Sequence, residues 1–248
     1  MDQDLKDLAA LIDAAQRIVL FTGAGISTES GIPDFRSPGG LWTKQTPIDF
    51  ADFLRSDDAR RETWRRRFAM EPILRQAAPN RGHRAVAALI RTGKAAAVIT
   101  QNIDGLHRAS GVPGDKTIEL HGNTTYAHCL TCGSRYEIDA LRVDFESDGI
   151  VPCCACGGWV KTATVSFGQP MPANEMRRAE QETLLADVFI AIGSSLTVYP
   201  AAAFPELAKR NGAILAIVNL QPTGLDGIAD LVVRRPIGDT LGAAAGVQ

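Results

Sequence analysis

An apolar run that stops on glycines sets the strongest limit on this chain's fold: Arg17-Ile18-Val19-Leu20-Phe21 leads straight into Thr22-Gly23-Ala24-Gly25. Unbroken apolar character over so short a stretch predicts a strand buried on both faces. Ahead of it Leu5, Leu8, Leu11 and Ile12 recur at helical spacing, so the order is helix, strand, turn. Similar runs return at 96–100, 188–192 and 214–219, separated by helix-like segments near 81–92 and 200–211. Strands alternating with helices predict an α/β chain with a parallel sheet covered by helices on both faces.

The 248 residues suit one large domain with a small insert, and 45% apolar content with a net charge of −2 gives no basic field for nucleic acid. The opening residues are acidic and amphipathic rather than signal-like, and no run approaches the ~18 apolar residues of a membrane span. Nucleic-acid and membrane partners are therefore not expected, and a cytoplasmic location is. In that reducing compartment five cysteines are more naturally ligands or free thiols than disulfides.

Their spacing says more. Cys129-x-x-Cys132 and Cys153-x-x-Cys156 are two knuckles twenty residues apart, a pattern that lets four thiolates close a tetrahedron around one zinc ion per chain. With no open position for substrate, such a zinc is structural. Cys154-x-Cys156 is shorter than the usual knuckle, so Cys154 is expected to be a free thiol, and His128 is not needed as a ligand. The zinc module is placed at 122–164, with the large domain formed by 1–32, 81–121 and 165–248. Between them, 33–80 opens with Gly and Pro and then carries two expected helices, 47–54 and 57–67.

The glycine turn Gly23-Ala24-Gly25-Ile26-Ser27 follows the first strand, where backbone can approach a pyrophosphate closely. Thr28 stands where a third glycine would complete the dinucleotide fingerprint, so the turn alone is weak. Asp34, Phe35 and Arg36 then place an acid, an aromatic ring and a guanidinium near it. Gly193, Ser194 and Ser195 follow one strand and Asn219, Leu220 and Gln221 end the next, at the sheet end where ligands bind. Asp104 is readable as a helix cap as well as a ligand. Of four histidines, His121 ends the run 117–120 and suits a general base near neutral pH; His83 and His107 read as packing or hydrogen-bonding residues.

GAGISTESGIPDFR at 23–36, TQNIDGLH at 100–107, HG at 121–122, GSSL at 193–196 and NLQPT at 219–223 together resemble the ordered motifs of the sirtuins, over about residues 10 to 241. The resemblance implies a Rossmann-like sheet with an inserted zinc module, and NAD consumed as a co-substrate. Gly23, Ala24, Gly25 and Ser27 would line its diphosphate; Asp34, Phe35 and Arg36 would lie on the cofactor loop that Trp42 closes. Gln101, Asn102, Ile103 and Asp104 would border nicotinamide and its ribose, Gly193, Ser194 and Ser195 would bind the cofactor at their strand's end, Asn219, Leu220 and Gln221 would meet the adenosine ribose, and Ile237 would lie by the adenine.

The implied reaction is NAD-dependent deacylation of protein lysine. The acyl oxygen attacks the ribose carbon as nicotinamide leaves, His121 takes a ribose hydroxyl proton, and free lysine and O-acyl-ADP-ribose result. Asn102 would orient the ribose or a water. Acylated-lysine proteins or peptides would pair with a strand containing Val165, Phe167 and Gly168, with Gln169 where many relatives have glutamate. Absence of a Tyr-x-x-Arg pattern in 62–68 favours short neutral acyl groups. Two alternatives are protein mono-ADP-ribosylation, which His121 and the zinc module disfavour, and a non-catalytic NAD-binding module, which leaves Gln101 to Asp104 and His121 without a purpose. The broken fingerprint disfavours a dehydrogenase.

Overall fold

The structure is a computed structural model and describes residues 2–34, 40 and 45–247. Its strands are, in chain order, Ile18–Thr22 (β1), Ala95–Thr100 (β2), Thr117–Glu119 (β3), Gly122–Cys129 (β4), Arg135–Glu137 (β5), Val160–Thr164 (β6), Val188–Ile192 (β7), Ile214–Val218 (β8) and Leu231–Val233 (β9). Six form one sheet in the order β3-β2-β1-β7-β8-β9, every pair parallel. The order reverses between β1 and β7, and at such a reversal a crevice opens beyond the strands' C-terminal ends.

Alternation along β1 shows why its run had to be continuous. Ile18 and Leu20 point into a cluster with Leu8, Ile12, Val86 and Leu241, from helices Gln3–Ala14, Arg81–Arg91 and Ile237–Ala244. Val19 and Phe21 point the other way, toward Ala179, Phe204 and Ala208 of helices Ala173–Leu185 and Ala203–Arg210. All four are fully buried, and each such side chain stabilises the fold by roughly 1.5–3 kcal/mol. The helix at Arg81 starts on a reciprocal cap: Asn80 Oδ1 accepts from the Gly82 and His83 amides, and the His83 ring accepts from the Asn80 amide.

Strands β5-β4-β6 form a separate antiparallel sheet. Its core is shared: Ala127, Cys129 and Val160 pack with Trp64 and Phe68, which lie on the helix Asp57–Ala69, and Trp64 Nε1 donates to Val160 O at 3.3 Å. That helix begins on Ser56, whose hydroxyl accepts from the Ala59 amide. Among the described residues no helix is long and apolar enough to cross a membrane.

Candidate active site

At the sheet reversal the loops after β1, β2, β7 and β8 enclose a cleft of about 480 Å³. Strand ends are laced together there: the Gly23 amide donates to Ile192 O, Gly25 to Gly193 O, Gly193 to Val218 O and Gln101 to Thr22 O, all at 2.8–2.9 Å. The loops after β1 and β7 nearly touch. A Cβ on Gly25 would lie 2.8 Å from Gly193 Cα, and one on Gly193, whose φ is +62°, 2.5 Å from the Ile26 nitrogen. These glycines therefore serve loop crossing. Thr28, exposed on the 3₁₀ turn Ala24–Ser30, occupies a place that needs no third glycine, and its hydroxyl donates to Gly25 O.

Most of the expected site residues line this one cleft: Gly23, Ala24, Gly25, Asp34, Gln101, Asn102, Ile103, His121, Val165, Phe167, Gly168, Gly193, Ser194, Ser195, Asn219, Leu220, Gln221 and Ile237. Phe35, Arg36 and Trp42 lie outside the described residues. Ser27 and Asp104 sit below the cleft rather than on its wall. Ser27 Oγ donates to Asp104 Oδ2 at 2.7 Å, while the other Asp104 oxygen accepts from the Leu106 amide at 2.9 Å. Asp104 is thus both cap and anchor.

Asn102 is 6% exposed. Its amide nitrogen donates to Gly23 O at 3.0 Å and Ser27 Oγ at 3.2 Å. With both hydrogens spent, its side chain can offer a ligand only the acceptor Oδ1. Gln101 Nε2 donates to Ser194 Oγ at 2.8 Å, tying the loops after β2 and β7 together.

His121 follows β3 at the cleft wall. Its Nδ1 lies 2.9 Å from Gln101 O, so Nδ1 carries the proton and Nε2 keeps its lone pair. Burial holds the imidazole below the ordinary histidine value, against the opposing pull of that backbone hydrogen bond. A neutral ring whose Nε2 has no hydrogen-bond partner among the described residues is a competent general base at neutral pH.

The segment expected to pair with a substrate peptide lines the cleft but lies outside the named strands. Strand β6 ends at Thr164, and residues 165–169 form a connection with a turn: Gln169 N donates to Ser166 O, the Ser166 amide donates to Gln169 Oε1, and Gly168 has φ +74°. The Val165 amide donates to His121 O, and the Phe50 amide donates to Phe167 O. Gln169 is therefore a turn-closing residue. The apolar wall beside this turn includes Ile48, Met171 and Val198, which the sequence motifs did not single out.

Arg234 was also missed. It donates to Asn219 O at 3.2 Å and Gln221 O at 2.6 Å and pairs with Asp226, bracing the loop that walls one end of the cleft. Its only sequence signal was an arginine just after a short apolar run.

The cysteine assignment is corrected by the structure. The sulfurs of Cys129, Cys132, Cys154 and Cys156 all lie within 4.8 Å of one another, with Cys129 to Cys156 at 3.5 Å and Cys132 to Cys154 at 3.6 Å. Four thiolates around zinc at ~2.3 Å stand ~3.8 Å apart, so this set fits a closed structural site. Cys153, expected as the ligand, instead bridges Trp159 and aims its thiol at Cys154 O and Gly158 O. Neighbouring residues in extended backbone face opposite ways. The hairpin closed by Cys154 N to Gly158 O and Gly157 N to Cys154 O turns buried Cys154 inward and leaves Cys153 exposed.

A parallel sheet with a ligand cleft at its reversal, a histidine base on the wall and a four-thiolate module alongside defines a nucleotide-dependent α/β enzyme. Residues 23–200 match the Sir2 family model, and the chain belongs to that family. It is 59% identical to NAD-dependent protein deacetylase 1 of Bradyrhizobium diazoefficiens, over 98% of this chain and 95% of that protein. It is 57% identical to the NAD-dependent protein deacetylase of Rhodopseudomonas palustris, over 99% and 98%. Among solved structures, a Sir2 variant with deacetylated p53 peptide and 3′-O-acetyl ADP-ribose is similar at 37% identity and TM-score 0.89, covering 98% of this chain and 97% of that one. A Sir2 complex with p53 peptide and NAD⁺ is similar at 38% and 0.86, covering 97% and 96%.

Proposed function

We propose that this chain is an NAD-dependent protein-lysine deacylase that moves the acyl group from lysine to ADP-ribose and releases nicotinamide. The observation that carries the reading is His121, neutral, with Nδ1–H held by Gln101 O and Nε2 free in the cleft beside Asn102. NAD, when bound, supplies the activated ribose carbon and accepts the acyl group. The loop Gly23 to Gly25, whose Gly23 and Gly25 amides are already paired with Ile192 O and Gly193 O, would let the diphosphate approach closely and offer it the Ala24 amide, with the Ser194 and Ser195 hydroxyls opposite, and Asn219 to Gln221 with Ile237 would hold adenosine. Asn102 Oδ1 accepts from a ribose hydroxyl or a water, and His121 Nε2 removes the hydroxyl proton that the late step requires.

The acyl-lysine enters along the wall of Ile48, Val165, Phe167, Met171 and Val198, whose apolar character suits a short neutral acyl chain. Similar solved structures carry p53, acetylated and propionylated peptides. The division into a large domain, the 33–80 segment and a zinc module at 122–164 goes with this reading, as does a cytoplasmic location in which thiolates stay reduced. Incubation with NAD and a panel of acylated peptides, with nicotinamide and peptide mass measured, tests it. Loss of the acyl mass with matched nicotinamide release is expected. A mass gain of ADP-ribose on the peptide, or neither change, would overturn the proposal.

A further inference from the structure

Below the cleft lies a buried polar chain that the reaction as described does not use. His107, 2% exposed on the short helix Leu106–Ala109, has Nε2 2.8 Å from Thr22 Oγ1. Thr22 Oγ1 is 2.8 Å from Thr100 Oγ1, which accepts the Asn102 amide at 3.0 Å. His107 Nδ1 has no hydrogen-bond partner among the described residues.

That orphan nitrogen decides the tautomer. A proton on Nδ1 would bury an N–H with no acceptor, at a cost of about 1–3 kcal/mol, so the proton belongs on Nε2. Burial, with His83 packed edge-on 5.2 Å away, pushes the imidazole down to about 3, so the ring stays neutral. Nε2–H then donates to Thr22, Thr22 must donate to Thr100, and the two Thr100 lone pairs are filled by Thr22 and the Asn102 amide. Without a donor at Nε2 the Thr22 and Thr100 hydroxyls can turn, and the Thr100 rotamer that presents its oxygen to the Asn102 backbone N–H is no longer fixed.

We propose that His107 is a positioning residue for the deacylation step, fixing the polarity of the Thr22–Thr100 relay and thereby the placement of Asn102. This rests on the reading of Asn102 as a ligand of the NAD ribose. The side-chain amide nitrogen of glutamine can stand where Nε2 stands; that of asparagine stands nearer Nδ1, and leucine has none.

The test compares wild type with His107→Gln, His107→Asn and His107→Leu for thermal midpoint, KM for acetylated peptide and kcat, together with ¹⁵N spectra of the wild-type histidine rings. The expected result is a kcat loss on the order of 10- to 100-fold in the Asn and Leu variants, as for a misplaced reacting group. KM should stay within about threefold, the Gln variant should recover to near wild-type kcat, and the His107 proton should reside on Nε2. A proton on Nδ1, wild-type kcat in folded His107→Leu, or equal losses of kcat and thermal midpoint in Gln and Leu variants would each overturn the proposal. The ring spectra need no turnover. A wild-type protein without deacylase activity would therefore defeat the functional reading while the tautomer result still stood.

Discussion

The Nδ1 nitrogen of His121 lies 2.9 Å from the carbonyl oxygen of Gln101, so the backbone after β2 selects which imidazole nitrogen is left to act. His121→Ala is expected to fold and bind NAD while losing on the order of 10²–10⁴ in deacylation rate. Exchange of labelled nicotinamide, an earlier step, should persist. Because burial lowers the His121 pKa, the wild-type rate should rise with pH along a limb centred below 6.5. Circular dichroism, NAD titration and the two rates decide it; near wild-type deacylation by the variant would end this role.

Cys154 and Cys156 complete the thiolate cluster, so Cys154→Ser should release zinc and unfold the module, whereas Cys153→Ser should hold one zinc per chain. Elemental analysis after dialysis reads this directly. Retention of metal by Cys154→Ser with loss from Cys153→Ser would restore the assignment by spacing.

Arginines near the acyl wall are already engaged. Arg67 pairs with Glu71 and donates to Thr124 O, and Arg66 donates to Glu62 and Thr46 O; Arg65 and Arg66 hold Glu62 at about 2. A carboxylated acyl chain would enter an apolar wall that has no free cation among the described residues, an uncompensated charge worth at least about tenfold in rate. Acetyl and propionyl peptides should therefore outpace matched succinyl peptides, and the reverse order in competition assays would sink the idea.

His83 and His107 are buried and pushed down to about 4 and about 3, desolvation being the main cause. Below pH 6.5 the unfolded chain takes up protons on these rings that the folded chain refuses until those values are reached. Stability is thus complete above 6.5 and falls as pH drops, by up to about 1.4 kcal/mol per unit and ring. The thermal midpoint should fall from pH 7 to pH 5, and less steeply in His107→Gln, with the remaining acid-sensitive groups common to both. Equal slopes would contradict the assignment.

Much of this was legible because it depends on local chemistry. The runs at 188–192 and 214–219 coincide with β7 and β8 to within a residue, since a strand buried on both faces must be apolar throughout. Helix Ala173–Leu185 escaped notice because it buries small Ala179 and Thr183 while Leu184 and Leu185 stay exposed, so its periodicity is faint. The run 165–168 was read as a strand, but its end is set by a turn that Gln169 closes through a side chain.

The sequence by itself determined the α/β class, the glycine-lined cleft, the four-thiolate module and His121, because each depends on residue types at fixed spacing along the chain. Tertiary structure alone decided which of two adjacent cysteines faces the cluster, that Asn102 spends both amide hydrogens, that Arg234 braces the Asn219–Gln221 loop, and that His107 meets the Thr22–Thr100 pair beneath. These are orientations and long-range partners, from Gly23 to Asn102 and from Thr22 to His107. Spacing fixes which groups the chain carries, but only packing of distant segments fixes where each proton and lone pair points.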